Sequence, residues 1–172
     1  MLSGIFIAAE LDTPTRRAVS GILQILRMRE PLRLVRPEKL HITLLYIGDL
    51  QEAKLPLLKA AVSDVAGGMD AVSITAAQMS LFGRALVQRL DSDGKLEALA
   101  AALRQKADAA VIAYDRKKFH AHMTYCYNCK SAAERFVPYP KYHGKCGSIS
   151  LLQSIRTEDG TVYKPLQTVK LA

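Results

Sequence analysis

The chain has 172 residues, of which 49% are hydrophobic and 23% charged, the balance of a globular protein large enough to bury a substantial core. No apolar run reaches the roughly 20 residues of a membrane-spanning helix, and no basic region precedes the Ile5–Ala9 run, so no signal peptide is expected. A net charge of +8 with a pI near 9.5 favours an anionic partner without choosing among nucleic acid, phosphorylated metabolite and membrane surface, while three cysteines, an odd number, argue against a disulfide framework and for a reducing, cytoplasmic setting.

Gly4–Leu11 is short, apolar and closed by turn residues, which predicts a buried strand. Asp12-Thr13-Pro14 supplies an N-cap and a first-turn proline, and Val19, Ile22, Leu23 and Leu26 then fall on one helical face to about Met28. Arg16-Arg17 imitates a twin-arginine signal, but Gln24 breaks the following stretch and its apolar residues are spaced as in a helix. After Pro31, Leu32–Val35 predicts a short strand. His41–Ile47 is a strand with apolar residues on both faces, and its alternation places His41, Thr43, Leu45 and Ile47 on one side and Ile42, Leu44 and Tyr46 on the other. Burial on both faces predicts a central position in its sheet. Leu55, Leu58, Val62 and Val65 mark a second helix closed by Gly67-Gly68, with Pro56 tolerable only in its first turn.

Ala71–Leu81 and Ala85–Leu90 read as strands turning at Phe82-Gly83-Arg84. Asp91-Ser92-Asp93 caps a third helix with a Leu96, Leu99, Leu103 stripe. A loose loop leads through Arg116-Lys117-Lys118 into a strand over Phe119–Tyr127. Ser131–Lys145 is rich in Pro, Tyr, Gly and charge and reads as a long loop, and Ser148–Arg156 with Val162–Leu171 forms a closing hairpin.

The chemistry lies in a repetition. His41-Ile42-Thr43 sets an imidazole and a hydroxyl side by side on one strand face, and His122-Met123-Thr124 does so again, so two of only 4 histidines share one setting. Each pair follows a basic cluster, Arg33, Arg36 and Lys39 before the first and Arg116, Lys117 and Lys118 before the second. The pattern predicts two similar lobes that bring these strands together. Two imidazoles with ordinary pKa values of about 6.5 can divide the work of displacement at phosphorus, one taking a proton from the attacking oxygen and one giving a proton to the leaving oxygen. Each transfer is worth about 10²–10⁴ in rate, so the pair is a useful catalyst without a metal. The threonine hydroxyls suit the non-bridging oxygens, where charge accumulates. His120 shares a face with His122 and offers a second base or a metal ligand. Only His122 has threonine two positions on, which makes it the catalytic candidate.

The run Leu34–Gly48, with Pro37-Glu38-Lys39-Leu40-His41-Ile42-Thr43 at its centre, resembles the first signature of the two-histidine (2H) phosphoesterases. The nearest branch is the RNA 2′,3′-cyclic phosphodiesterases, also called 2′-5′ RNA ligases. Ile5–Leu11 is similar to that family's first strand and Phe119–Thr124 to its second signature, so the resemblance spans nearly the whole chain. It implies one bilobal α+β domain over residues 1–172, with two antiparallel sheets flanked by helices and lining a central cleft. It implies hydrolysis of a terminal 2′,3′-cyclic phosphate of RNA to a 2′-phosphate, without cofactor or metal, by a monomer. His41 and His122 would then be catalytic, with His122 suggested as base and His41 as acid, and Thr43 and Thr124 would bind the phosphate. Ala121, Tyr125 and Tyr127 stand where the family usually has proline, an apolar residue and arginine. Substrate contacts are therefore sought from Arg36, Lys117, Lys118 and Tyr127.

Three other readings compete. Cys126-x₂-Cys129 with His143-x₂-Cys146 spells a Cys₃His zinc site. The positive charge with Tyr127, Tyr139 and Tyr142 as stacking rings suits a non-catalytic RNA-binding module. The same chemistry also fits a cyclic nucleotide, a 2′-5′-linked oligonucleotide or an ADP-ribose cyclic phosphate.

Overall fold

Strand β1 (Leu2–Leu11) is buried on both faces, and its two faces serve different ends. Ile5, Ile7, Ala9 and Leu11 join the main core under the helices, whereas Phe6 and Ala8 form a small second cluster with Leu152 and Tyr163 on the opposite side. A computed structural model of the chain describes residues 1–29, 33–129 and 141–172. Helix α1 (Thr13–Arg29) starts where the Asp12 carboxylate accepts from the Thr15 N–H at 2.9 Å and buries Val19, Ile22, Leu23 and Leu26. Strand β2 (Ile42–Leu50) follows a single 3₁₀ turn at Pro37–Lys39. Helix α2 (Leu55–Ala66) carries Pro56 in its first turn, where no N–H is missed, and closes at Gly67. Strands β3 (Val72–Phe82) and β4 (Ala85–Asp91) form the expected hairpin. Helix α3 (Lys95–Ala109) buries Leu96, Leu99 and Leu103, with the Ser92 hydroxyl accepting from the Leu96 N–H at 3.0 Å. Strands β5 (His122–Cys126), β6 (His143–Thr157) and β7 (Gly160–Lys170) complete the chain.

All strand pairings are antiparallel, in the order β2-β1-β6-β3-β4-β5, with β7 also on β6. β6 is the joint of the molecule. One of its edges pairs with β1 from Cys146 to Gln153, and its other edge is shared by β3, over His143–Cys146, and β7, over Ser148–Thr157. The α+β fold therefore has the two antiparallel halves that the sequence implies, β2-β1-β6-β7 and β6-β3-β4-β5, joined through one strand. Among the described residues no helix is long and apolar enough to cross a membrane.

Several local expectations are corrected. β2 ends the sheet order and is an edge strand, not a central one. Its burial comes from the core beneath and from the second half alongside, where Asp115 N–H donates to the Tyr46 carbonyl and Val35 N–H to the Tyr125 carbonyl, each at 2.8 Å. That last bond is the role of Leu34-Val35, which form no strand; Leu32 lies outside the described residues. The second motif strand is shorter than Phe119–Tyr127. Of the expected loop Ser131–Lys145, residues 131–140 lie outside the described residues, and His143 already begins β6.

Both motif strands carry an extra residue just after the threonine. Along β1 the partners step from Ile7↔Leu45 to Ala8↔Thr43, and along β4 from Leu86↔Cys126 to Val87↔Thr124, so Leu44 and Tyr125 are bulged out of register. The bulge changes the side-chain phase. Leu44 and Leu45 both enter the core, as do Tyr125 and Cys126. Tyr46, expected on the face opposite His41 and Thr43, instead shares the cleft with them, and Leu45 and Ile47 leave that face. Strict period-two reading fails at the bulge.

Gly144 sits where β6 passes over α1. A Cβ there would meet the Thr15 side chain far inside van der Waals contact, while the Thr15 hydroxyl accepts from the Lys145 N–H at 2.8 Å and cannot simply move aside. Gly144→Ala should destabilise the protein by about 1–3 kcal/mol in urea unfolding; unchanged stability would show that this crossing is not tightly packed.

Candidate active site

The approach to His41 is held by an arginine from another element. Arg16 on α1 donates from Nη1 to the carbonyls of Pro37 (2.8 Å) and Leu40 (2.7 Å) and from Nη2 to Glu10 (3.1 Å). Leu40, 1% exposed, anchors the turn in the core. The sequence pattern marked Arg16 only as an imitation of a targeting signal; its work is to fix the carbonyls around the first motif.

The two histidines then repeat one geometry. His41 Nδ1 lies 2.7 Å from the Lys39 carbonyl, and His122 Nδ1 lies 2.6 Å from the His120 carbonyl, two residues back in each case. A carbonyl oxygen only accepts, so each Nδ1 carries the proton and each neutral ring has its basic lone pair on Nε2. His41 Nε2 is 3.0 Å from the Thr43 hydroxyl, which donates to it. Phe6 and Tyr163 pack against the His41 ring at centroid distances of 5.2 and 5.3 Å. Phe82 plays that part for His122 at 4.8 Å.

Burial pulls both imidazoles below the ordinary value of 6.5. For His41 the Lys39 carbonyl and the Glu10 carboxylate oppose that shift, and the charges of Arg16 and His122 deepen it. For His122 the His120 carbonyl opposes it, and the charges of His120 and Arg89 deepen it. His122 thus acts on His41 through space: the topology has brought two residues from separate lobes into one electrostatic neighbourhood.

Two cavities meet at Thr43 and Tyr46. One, of about 420 Å³, is lined by His122, His120 and Phe82 with Arg104, Lys117 and Lys118. The other, of about 800 Å³, is lined by His41 with Phe6, Tyr127, Tyr163, Gln153 and Arg156. Among the expected substrate contacts, Lys117, Lys118 and Tyr127 therefore border the cleft and Arg36 does not. Arg36 lies instead in a separate groove against the β6–β7 turn. Thr124 pairs with Val87, and its partly exposed side chain shares the phase of His122.

Sequence reasoning missed Arg104, Arg89, Phe82 and Tyr163. Arg104 and Tyr163 come from elements distant along the chain, with no local motif to mark them. Arg89 is opposite His122 in the β4–β5 register and stacks on Phe82 at 5.0 Å, a relation visible only once the pairing is known.

The zinc reading does not survive. Cys146 lies opposite Val72, and Cys126 opposite Leu86, which itself pairs with Leu81. From Val72 to Leu81 is about 30 Å of strand at roughly 3.3 Å per residue. His143 stays at the Cys146 end, with Nδ1 3.1 Å from the Thr75 hydroxyl. No three metal-ligating side chains gather anywhere among the described residues. Burial pushes the Cys146 thiol up to about 12, so it is a packing residue. Tyr142 is buried beside Tyr125, their hydroxyls 3.4 Å apart, and does not serve as an open stacking ring; Tyr139 lies outside the described residues.

The fold agrees with what the chain is similar to. The LigT-like phosphoesterase family model matches residues 10–90, the part that holds the first motif. The RNA 2′,3′-cyclic phosphodiesterase of Archaeoglobus fulgidus is 28% identical over 174 residues, covering 95% of this chain and 97% of that protein. The protein of that name from Methanothermobacter thermautotrophicus is 35% identical over 71 residues, covering 41% of this chain and 39% of its own length. Among solved structures, TT0787 of Thermus thermophilus superimposes with a TM-score of 0.80 at 23% identity, covering 97% of each chain. E. coli LigT complexed with 3′-AMP superimposes with a TM-score of 0.78 at 22% identity, covering 99% of each. The chain is thus similar to the LigT-like phosphoesterases in sequence over residues 10–90 and in fold over nearly its whole length.

An NMR titration checks the electrostatics. Both His41 and His122 should lose their protons below pH 6.5, and Arg89→Met should raise the His122 midpoint by removing a repelling charge. Since the unfolded chain binds these protons more readily, stability should fall as pH drops below 6.5 toward the depressed folded values. Titration of either ring above 6.5 in the free protein would contradict the burial argument.

Proposed function

We propose that this protein is an RNA 2′,3′-cyclic phosphodiesterase that opens the terminal cyclic phosphate to a 2′-phosphate by metal-independent acid–base catalysis. The observation that carries the reading is the matched tautomer of the two imidazoles, each with Nδ1 committed to a backbone carbonyl and its basic lone pair on Nε2. The names of the archaeal relatives support the substrate.

In this reaction His122 Nε2 takes a proton from water as the water oxygen bonds to phosphorus. The bond from phosphorus to the 3′ oxygen breaks, and protonated His41 gives its Nε2 proton to that oxygen. The products are a 2′-phosphate monoester and a free 3′ hydroxyl; proton exchange with solvent returns each imidazole to its starting state. The division of roles follows the local charges. Glu10 favours protonated His41, and Arg89 favours neutral His122. Thr43 and Thr124 donate to the non-bridging oxygens as charge builds there. Arg104, Lys117 and Lys118 supply the positive approach, which outweighs the one carboxylate, Asp115, in the same cavity wall. The reverse reaction would join a 2′-phosphate end through the same groups.

The test is hydrolysis of a 2′,3′-cyclic-phosphate-ended RNA with EDTA present. His41→Ala and His122→Ala should each reduce the rate by at least about 100-fold, and Thr43→Ala and Thr124→Ala by about 10-fold or more. With both folded imidazoles below 6.5, kcat/KM should also be greatest below pH 6.5 and decline on either side. Turnover of a cyclic mononucleotide or a 2′-5′-linked oligonucleotide in preference to the RNA end would move the substrate and keep the chemistry. RNA binding with no turnover of any of them would leave a binding module.

A further inference from the structure

The two motif strands are entered differently. Ala121, just before His122, is held by the neighbouring strand: the Leu90 N–H donates to its carbonyl at 3.0 Å, one rung beyond the Arg89↔His122 pair. The approach to His41 has no such partner. The β1–β2 ladder ends at Ala9↔Ile42, so the turn at Pro37–Lys39 and the following Leu40 lie beyond it. The carbonyls of Pro37 and Leu40 meet a guanidinium instead. Arg16 Nη1 donates to both, and Nη2 donates to Glu10, the β1 residue directly after the last rung. The ion pair is largely sheltered, its side chains 23% and 22% exposed. On another side of the turn, the Lys39 ammonium donates to the Thr161 carbonyl of β7. The Lys39 carbonyl, flanked in sequence by the two that Arg16 holds, is the one that accepts the His41 Nδ1 proton.

We propose that Arg16 is a positioning residue for His41: its guanidinium fork replaces the missing strand, fixes the Lys39 carbonyl and so keeps the His41 ring in its Nδ1–H tautomer. This rests on the function proposed above, in which His41 is the proton donor, and adds the group that prepares that donor. A planar guanidinium reaches two carbonyls and a carboxylate at once in fixed directions, which a single ammonium does not reproduce. Glu10 completes the fork and balances its charge. Charge and geometry pull in opposite directions here. The positive charge of Arg16 disfavours protonated His41, and the Glu10 carboxylate favours it. An Arg16 that acted by charge alone would impair the donor, and a variant without it would be the better acid. An Arg16 that acts by position predicts the reverse.

The first readout is the tautomer of each neutral imidazole in the free protein, taken well above pH 6.5 from long-range ¹H–¹⁵N spectra. The wild type should show Nδ1–H at both rings. Arg16→Lys keeps the charge and loses the fork, and Arg16→Met loses both. Each should give His41 a mixture of tautomers and leave His122 unchanged, so that His122 reports a folded protein. The second readout is turnover of cyclic-phosphate-ended RNA, where both variants should reduce kcat about tenfold or more and leave KM within about twofold. An unchanged His41 tautomer in both variants, equal disturbance of the two rings, a kcat that rises in Arg16→Met, or a wild-type kcat in Arg16→Lys would overturn the positioning role and leave the phosphodiesterase reading intact. A wild type that opens no cyclic phosphate would overturn that reading and the donor role with it, while the tautomer readout would still decide whether Arg16 sets the His41 ring.

Discussion

A strand has two edges, and the way β6 distributes them decides where the site lies. β1 occupies one edge, while β3 and β7 divide the other end to end. That division splits one continuous antiparallel sheet into two halves that share a strand. Each half then ends in a motif strand, β2 on one side and β5 on the other. The two edge strands come alongside each other with the segments before them bonding across, Asp115 N–H to the Tyr46 carbonyl of β2 and Val35 N–H to the Tyr125 carbonyl of β5, not through a sheet ladder. This arrangement leaves an open seam between two backbones, and the histidines stand at its mouth. Packing at the joint is close enough that only glycine fits at position 144 against Thr15.

Within that frame each motif uses the same local device. The carbonyl two residues before the histidine takes the Nδ1 proton, and the bulge after the threonine turns the following side chains inward. The first leaves the basic lone pair of each neutral ring on Nε2. The second lets an edge strand bury consecutive residues, Leu44-Leu45 in one half and Tyr125-Cys126 in the other, while His41, Thr43, Tyr46, His122 and Tyr127 border the cleft. The two sites are alike in backbone and different in charge: a carboxylate lies near His41 and a guanidinium near His122. In the proposed reaction the repetition supplies two proton carriers, and the differing neighbours give them different jobs.

The helices were legible in the sequence because their stripes are long: Val19 to Leu26, Leu58 to Val65 and Leu96 to Leu103 all reach the core. The repetition of His-x-Thr was legible because imidazoles are rare in this chain. What period-two reading could not supply was the bulge, since an extra residue changes the face without changing the composition. It therefore misplaces Tyr46 and Leu45. The central position assigned to β2 failed for a related reason: two-faced burial can come from a neighbouring lobe as well as from flanking strands. Linear spacing also suggested a metal cluster from Cys126, Cys129, His143 and Cys146, which the course of β3 separates. Arg36 was placed by nearness in sequence to His41, yet the turn at Pro37–Lys39 directs it toward the β6–β7 hairpin.

The central claim is that one phosphate meets both imidazoles through Nε2. Long-range ¹H–¹⁵N spectra recorded during titration with a nucleoside 2′-phosphate test it most directly. Both His41 and His122 should begin as Nδ1–H tautomers, and both Nε2 signals should shift along saturation curves with one shared dissociation constant. A ligand that moves only one of the two rings, or moves them with different dissociation constants, would contradict the account.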